Sequence, residues 1–239
     1  RKDAMLKIFL LGTFEIEYER RNIQIPGRPA QSLFAFLVLN EGIFHRRERL
    51  AALLWADSPD HTARENLRHT LWQIRKAFGD FPAAECWQTD DLFIKFVGSA
   101  DVWLDAAILK TAPAQNCAQE LIAALSVYRG ELLPGFYEDW VILEREYLNY
   151  VFEHNMARLL AMFQNEKRWL DILEWGERWI AFGKRPEPAY RALMLAHKAE
   201  GEMSKVAEIY TRCQRDLEGI GVSPSEQTQE LFNVLKKTP

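Results

Sequence analysis

Between Thr62 and Gly79 the chain reads TARENLRHTLWQIRKAFG, which gathers Arg64, Arg68, His69, Trp72, Arg75 and Lys76 within one short stretch. Arginine carries a planar fork of donors that matches a phosphate, a carboxylate or the O6/N7 edge of guanine. Lysine and a protonated histidine add point charges, and tryptophan adds a flat face for stacking or for a cation. At 100° per residue, Ala63, Leu67, Leu71, Ile74 and Phe78 fall on one stripe, so the spacing predicts a helix that buries it. Glu65, His69, Trp72 and Lys76 then point the opposite way, with Arg64, Arg68 and Arg75 along one flank. On charge pattern alone, a solvated amphipathic helix is the better reading. Trp72 on the wet side gains nothing in an isolated helix; docking on a second domain accounts for it as well as a ligand contact does.

The elements around this helix decide between the readings. Residues 5 to 25 alternate as strands, with Ile8, Leu10, Phe14 and Ile16 suited to a sheet packed on one side. Arg28 to Asn40 carries a helical stripe through Leu33, Phe34, Leu37 and Val38, with Gly42 placed as its C-cap. A second helix, about Arg46 to Trp55, uses Leu50, Leu53 and Leu54. The turn ADSPD follows, where Ser58 or Asp60 is expected to cap the next helix and Pro59 is tolerated in its first turn. That next helix, about 61 to 78, is the cationic one. CWQTDDLFIKFV then reads as two strands around Asp90-Asp91. Three helices with a short turn between the last two, closed by a hairpin, describe an α+β winged helix-turn-helix.

From about Asp105 the pattern is helical throughout. Residues 116 to 130 and about 139 to 165 are amphipathic, separated by GELLPGFYED. EKRWLDILEWGERW (166 to 179) aligns with EGEMSKVAEIYTRC (200 to 213) at an offset of 34, the period of tetratricopeptide helical hairpins. A closing helix starts in GVSPSEQTQELF, with Ser223 or Ser225 as its cap. Two domains are expected: a winged helix over 1 to 99 and an all-α tetratricopeptide-like domain over 100 to 239.

Composition limits the partners. With 239 residues, 48% apolar content and eight tryptophans, the chain is globular, and no apolar run is long enough for a membrane span. It opens on Arg1 with no secretory signal and no initiator methionine, as expected of a segment of a longer protein. The net charge of -4 excludes an indiscriminate coat on nucleic acid, so any such site must be a local patch. Cys86, Cys117 and Cys213 are single and odd in number, as expected of core residues in a reducing, cytoplasmic compartment. No phosphate loop, dinucleotide fingerprint or nucleophile elbow is present. His61 with Glu65, and Glu65 with His69, have metal-pair spacing, but no third ligand stands close in sequence. Neither enzyme activity nor a metal or cofactor is expected.

RERLAALLW followed by ARENLRHTLWQIRKAFG resembles the amino-terminal OmpR-type winged helix of the SARP-type (antibiotic regulatory protein) activators. Ala63, Asn66, Leu67, Arg68 and Arg75 sit on that family's pattern, with Ile74 in place of its usual leucine. ALSVYRGELLPGFYEDWVILERE (124 to 146) is similar to the signature of the bacterial transcriptional activator domain, and GVSPSEQTQELF to its ending. The resemblance implies sequence-specific binding to double-stranded DNA, often as a homodimer on repeated sites, and activation through contact with RNA polymerase. It makes Arg68 and Arg75 the foremost DNA contacts, followed by Arg64, His69, Trp72 and Lys76. Asn66 lies near the core flank, where a structural hydrogen bond is expected instead. Arg46, Arg47, Arg49 and Lys95 are candidates for phosphate contacts or plain solvated charges. Asp57, Ser58 and Asp60 correspond to a polymerase-contact loop, though a helix-capping turn explains them too.

One departure from the family stands out: the wing tip, Asp90-Asp91, is acidic where basic residues are usual. Together with the acidic net charge it supports an alternative function, a protein-interaction module whose winged helix is a degenerate DNA binder used for docking. In the second half, Tyr128, Arg129, Gly130, Leu133, Pro134 and Trp140 match the signature, and structural roles are expected of them: Gly130 ending a helix, Pro134-Gly135 turning the chain, Trp140 filling a junction.

Overall fold

The computed structural model describes residues 5–79, 86–98, 102–114 and 117–237. The chain forms two compact units, one from residues 1–108 and 130–145, the other from 109–129 and 146–239. The expected boundary at 99/100 lies outside the described residues. The chain leaves the first unit, returns to it for Gly130–Arg145, and then enters the second for good.

The first unit opens with β1 (Leu6–Phe9) and β2 (Glu15–Tyr18), antiparallel with Ile8 opposite Ile16. Leu6, Ile8, Ile16 and Tyr18 all face inward, as the two-residue strand period requires. A short β3 (Arg21–Asn22) pairs with β2. Helix α1 (Arg28–Leu39) buries Leu33, Phe34, Leu37 and Val38. Its cap is Asn40, not the expected Gly42: the Asn40 amide donates to the Phe36 carbonyl at 2.8 Å, satisfying an orphan acceptor at the helix end. Two residues of β4 (His45–Arg46) precede α2 (Arg47–Leu54), and α3 covers Asp60–Phe78. Pro59 occupies the cap position of α3 and no side chain caps it, so neither Ser58 nor Asp60 plays the expected part.

Strands β5 (Trp87–Thr89) and β6 (Phe93–Phe96) form the hairpin, and β6 also pairs with β4. Phe34 centres this core, with the rings of Phe14, Phe78, Trp87 and Phe96 all within 5.5 to 6.5 Å. The strand β7 (Val102–Leu104) joins β1 in parallel, completing the order β3-β2-β1-β7.

Helix α4 (Asp105–Thr111) begins at the buried Asp105, whose carboxylate accepts the backbone N–H groups of Leu10 and Leu11 at 2.9 to 3.0 Å. The segment Gly130–Arg145 adds to the same unit. The Glu131 carbonyl accepts from the Gly12 N–H and the Leu10 carbonyl from the Leu133 N–H, each at 2.9 Å. Arg145 donates to the carbonyls of Leu132, Leu133 and Phe136. Gly130 does not end a helix as expected: α5 (Ala118–Ser126) stops earlier, and a Cβ on Gly130 would lie 3.0 Å from the Gly12 Cα. Its role is close backbone approach, at a φ of 147°. Pro134-Gly135 does turn the chain, and Trp140 packs edge-on against Phe36 at 5.3 Å.

The second unit is helical: α5, most of α6 (Asp139–Asn165), then α7 (Trp169–Phe182), α8 (Glu187–Ala199), α9 (Met203–Glu218) and α10 (Glu226–Lys237). Helices α7 and α9 start 34 residues apart, as the sequence repeat requires. Their matched positions Ile172/Val206, Trp175/Ile209 and Trp179/Cys213 are all buried. Tyr190, Leu193 and Met194 of α8 share a core with α9 and with Leu235 of α10. The Glu187 carboxylate accepts from the Ser225 backbone N–H and from both the Ser225 and Thr228 hydroxyls, fastening the start of α10 to α8. Cys86 and Cys213 are buried as expected, but Cys117 is exposed beside α5. Burial pushes the Cys213 thiol up to about 11, so it is held protonated. Among the described residues, no helix is long and apolar enough to cross a membrane.

Candidate nucleic-acid interface

Helix α3 is held from beneath by Ala63, Leu67, Thr70, Leu71, Ile74 and Phe78, all buried, and Phe78 stacks on Phe34 at 5.5 Å. That anchoring leaves Arg64, Arg68, His69, Trp72, Arg75 and Lys76 exposed along its outer side. Trp72 is 53% exposed, and its indole lies between two neighbours on its own helix. His69 stacks on it at 5.7 Å, and the Lys76 Nζ sits 4.9 Å from the ring centroid. The i–3 and i+4 spacing makes this trio a local assembly, a flat face with a cation resting on it.

Arg64 makes an exposed ion pair with Glu48 of α2 at 3.0 Å. Exposed pairs of this kind contribute about 0.2–1 kcal/mol, so the Arg64 guanidinium can leave Glu48 at little cost. Arg68 has no hydrogen-bond or ion-pair partner among the described residues and projects freely.

The wing is fastened to both helices through Thr89, a residue that sequence reasoning passed over. Its hydroxyl accepts from Arg47 of α2 at 2.9 Å and, at a longer 3.4 Å, from Arg75 of α3. Arg47 also donates through Nε to the Asp90 carbonyl at 2.9 Å. Nothing in the sequence marks Thr89, because its importance comes from two arginines 42 and 14 residues away.

The acidic wing tip is also partly internal chemistry. The Asp90 carboxylate turns back to accept the N–H groups of Leu92 and Phe93, both at 2.7 Å. These two backbone bonds, with Arg47 nearby, hold its carboxyl below the usual carboxylate range. Asp90 therefore closes the hairpin turn, leaving Asp91 as the acid that faces outward. Leu92 at the same tip is 68% exposed. Arg46 lies over the Phe93 ring at 5.8 Å and Lys95 over the exposed Phe44 at 4.1 Å. Phe44 and Leu92 carried no signal beyond ordinary strand composition.

A cleft of about 420 Å³ opens between the start of α2, the amino-terminal half of α3 and the wing tip. It is lined by Arg46, Arg47, Arg64 and Arg68, with Glu48, Asp91, Leu67, Leu92 and Phe93. Four arginines against two acids give a local surplus of +2 on a chain whose net charge is -4. The fold thus brings four of the nominated cations together. It leaves Arg49 and Lys95 outside the cleft, Arg75 on Thr89, and His69, Trp72 and Lys76 as their own group. Asp57 and Ser58 lie in the turn before α3, and Asp60 is its first residue. Among the described residues, no group of three or more His, Cys, Asp or Glu is placed to hold a metal ion.

Residues 105–236, more than half of the chain, match the model of the bacterial transcriptional activator domain. The chain belongs to this family. The whole chain also superposes on Mycobacterium tuberculosis EmbR, solved in complex with a low affinity phosphopeptide, with a TM-score of 0.70 at 18% identity. All of this chain is covered and 66% of EmbR, so the chain spans slightly less than two thirds of that protein's length. No curated protein matches it in sequence. The SARP-type resemblance thus agrees with the activator-domain match and with a fold of winged helix-turn-helix followed by tetratricopeptide-like helices.

Proposed function

We propose that this member of the activator-domain family binds double-stranded DNA in a sequence-specific manner and activates transcription. Helix α3 enters the major groove, and the arginine cleft beside it receives the phosphate backbone. The observation that carries the reading is the juxtaposition of Arg46, Arg47, Arg64 and Arg68 in one cleft at the base of an outward cationic helix. Arg68, exposed and unpartnered among the described residues, is placed to read a base edge. Arg64 exchanges Glu48 for a phosphate. Arg75 reaches the DNA from a position steadied by Thr89, and His69, Trp72 and Lys76 present a cation-bearing face to the duplex. Arg46 and Arg47 hold the backbone. RNA polymerase is the partner for activation, met by the turn holding Asp57 and Ser58 at the start of α3.

The docking-module alternative draws on the wing-tip acids and the acidic net charge; Asp90 keeps its negative charge while it closes the turn, so selection from duplexes decides between the two readings.

The test is selection from a pool of random duplexes, followed by affinity measurement across salt concentrations. A defined sequence is expected to emerge. Arg68→Ala should weaken binding to it by about 1–3 kcal/mol and relax specificity at one position, whereas Arg64→Ala should weaken all duplexes alike and lower the salt slope by about 1. Failure of any sequence to enrich at low salt would sink the proposal.

A further inference from the structure

A groove in the second unit plays no part in DNA binding. It runs between α6 and α8, with Gln227 and Leu231 of α10 as a third wall, and has a volume of about 340 Å³. Small-molecule sites begin at about this size, in a range of about 300–1,000 Å³. Leu160 of α6, Trp179 of α7 and Ala192 of α8 line it and are buried, so its floor is apolar. Ala157 and Ala161 of α6 line it and are exposed, so two small side chains one helical turn apart leave its mouth clear.

Among the described residues, the polar side chains in the lining besides the Trp179 indole are Gln164, Arg191 and Gln227, and none is an acid. Arg191 is half-buried, and it donates through one Nη to the Thr228 hydroxyl of α10 at 2.9 Å, which holds the guanidinium in place. Its other N–H groups have no hydrogen-bond partner among the described residues. An acid does face Arg191, namely Glu187, but that carboxylate already accepts from the Ser225 N–H and from the Ser225 and Thr228 hydroxyls. Among the described residues no ion pair joins the two. The Trp179 Nε1 is likewise buried without a partner among the described residues. Donors thus outnumber acceptors around an apolar slot.

We propose that this groove binds a small carboxylic acid with an apolar body, the body lying between α6 and α8 and the carboxylate on Arg191. A guanidinium with free donors on a half-buried wall matches a carboxylate, in a charge-assisted pair that salt screens less than one at the open surface. A cationic ligand meets Arg191 as a like charge. A neutral apolar ligand covers its donors without satisfying them, which costs affinity. The volume holds one small molecule.

Calorimetric titration of the protein without DNA tests this independently of the DNA-binding reading. Octanoate, octanol and octylamine serve as probes of one length and different charge. Octanoate is expected to bind at least tenfold tighter than octanol, with octylamine weakest. From hexanoate to octanoate, affinity should rise about fourfold for each added methylene, as burial in an apolar slot requires. Arg191→Met should abolish the preference for octanoate over octanol while octanol still binds. Arg191→Lys keeps the charge and should keep most of the preference, which separates the charge from the support that Arg191 gives to Thr228. Ala161→Phe fills the mouth and should weaken both ligands at least tenfold, with an unchanged circular dichroism spectrum because the position is exposed. The proposal is overturned if octanoate fails to bind at millimolar concentration, or if octanol or octylamine binds as tightly. It is overturned equally if the preference survives Arg191→Met, or if octanoate binding is indifferent to Ala161→Phe.

Discussion

His45 lies buried in β4, its ring centre 5.1 Å from that of Phe36 and its Nε2 without a partner among the described residues. Burial, and secondarily the charge of Arg49, lowers its pKa, outweighing a backbone hydrogen bond at Asn40 that acts the other way. A lowered histidine is held neutral in the fold. Its contribution to stability is therefore complete above the ordinary value of about 6.5 and is lost as pH falls through the lower, folded value. Urea unfolding at about pH 7.5 and about pH 5 should show the protein weakening on acidification, and His45→Gln should remove part of that difference. An unchanged difference would assign it to other groups. The candidate site shows how far such detail was legible at the scale of single residues. Outward placement of Arg64, Arg68 and Trp72 followed from helical period alone. The division of labour did not: whether an arginine is free like Arg68, tied to an acid like Arg64, or clamped to a wing like Arg47 depends on neighbours supplied by other elements.

At the scale of elements, local pattern was legible and non-local pairing was not. The period of 34 located α7 and α9, and the apolar stripes located α1 and α3, because helical signals lie within a few residues of one another. Strand β7 gave no such signal, since its partner β1 lies more than ninety residues earlier. Close packing between helices is likewise a property of pairs. Gly176 in α7 lies under Leu193 of α8, and a Cβ there would fall 2.8 to 2.9 Å from the Leu193 Cδ2 and Cγ. Alanine is the better helix former by about 1 kcal/mol, so intrinsic propensity predicts that Gly176→Ala stabilises. Leu193 is fully buried, so making way for the methyl group means shifting it within a packed core, and overpacking of this kind costs about 1–3 kcal/mol. Gly176→Ala is therefore expected to lower the melting temperature; a rise would mean that the two helices can separate to admit the methyl group.

At the scale of the whole molecule, net charge misleads: a chain of -4 carries a cationic cleft because the surplus acid lies elsewhere. The DNA reading gives one more expectation. A dimer on DNA turns the second contact into an intramolecular event, with a gain in affinity of about 10²–10⁴ where geometry allows both copies to engage. On a duplex bearing two copies of the selected site, the protein should bind cooperatively. Gel shift on one-site and two-site duplexes should show steeper binding to the two-site duplex. Equal binding curves on the two duplexes would show that copies of the protein bind independently.

The return of Gly130–Arg145 to the first unit bears on how such a chain can be inherited. A gene crossover at residue 99 severs the winged helix from Asp105, which accepts the backbone N–H groups of Leu10 and Leu11, and from the carbonyl of Glu131, which accepts that of Gly12. A hybrid that keeps the first unit of one parent whole must therefore also take residues 130–145 from that parent. Recombination then needs three joints instead of one, and helix α3 and its supporting segment descend together as a single heritable block.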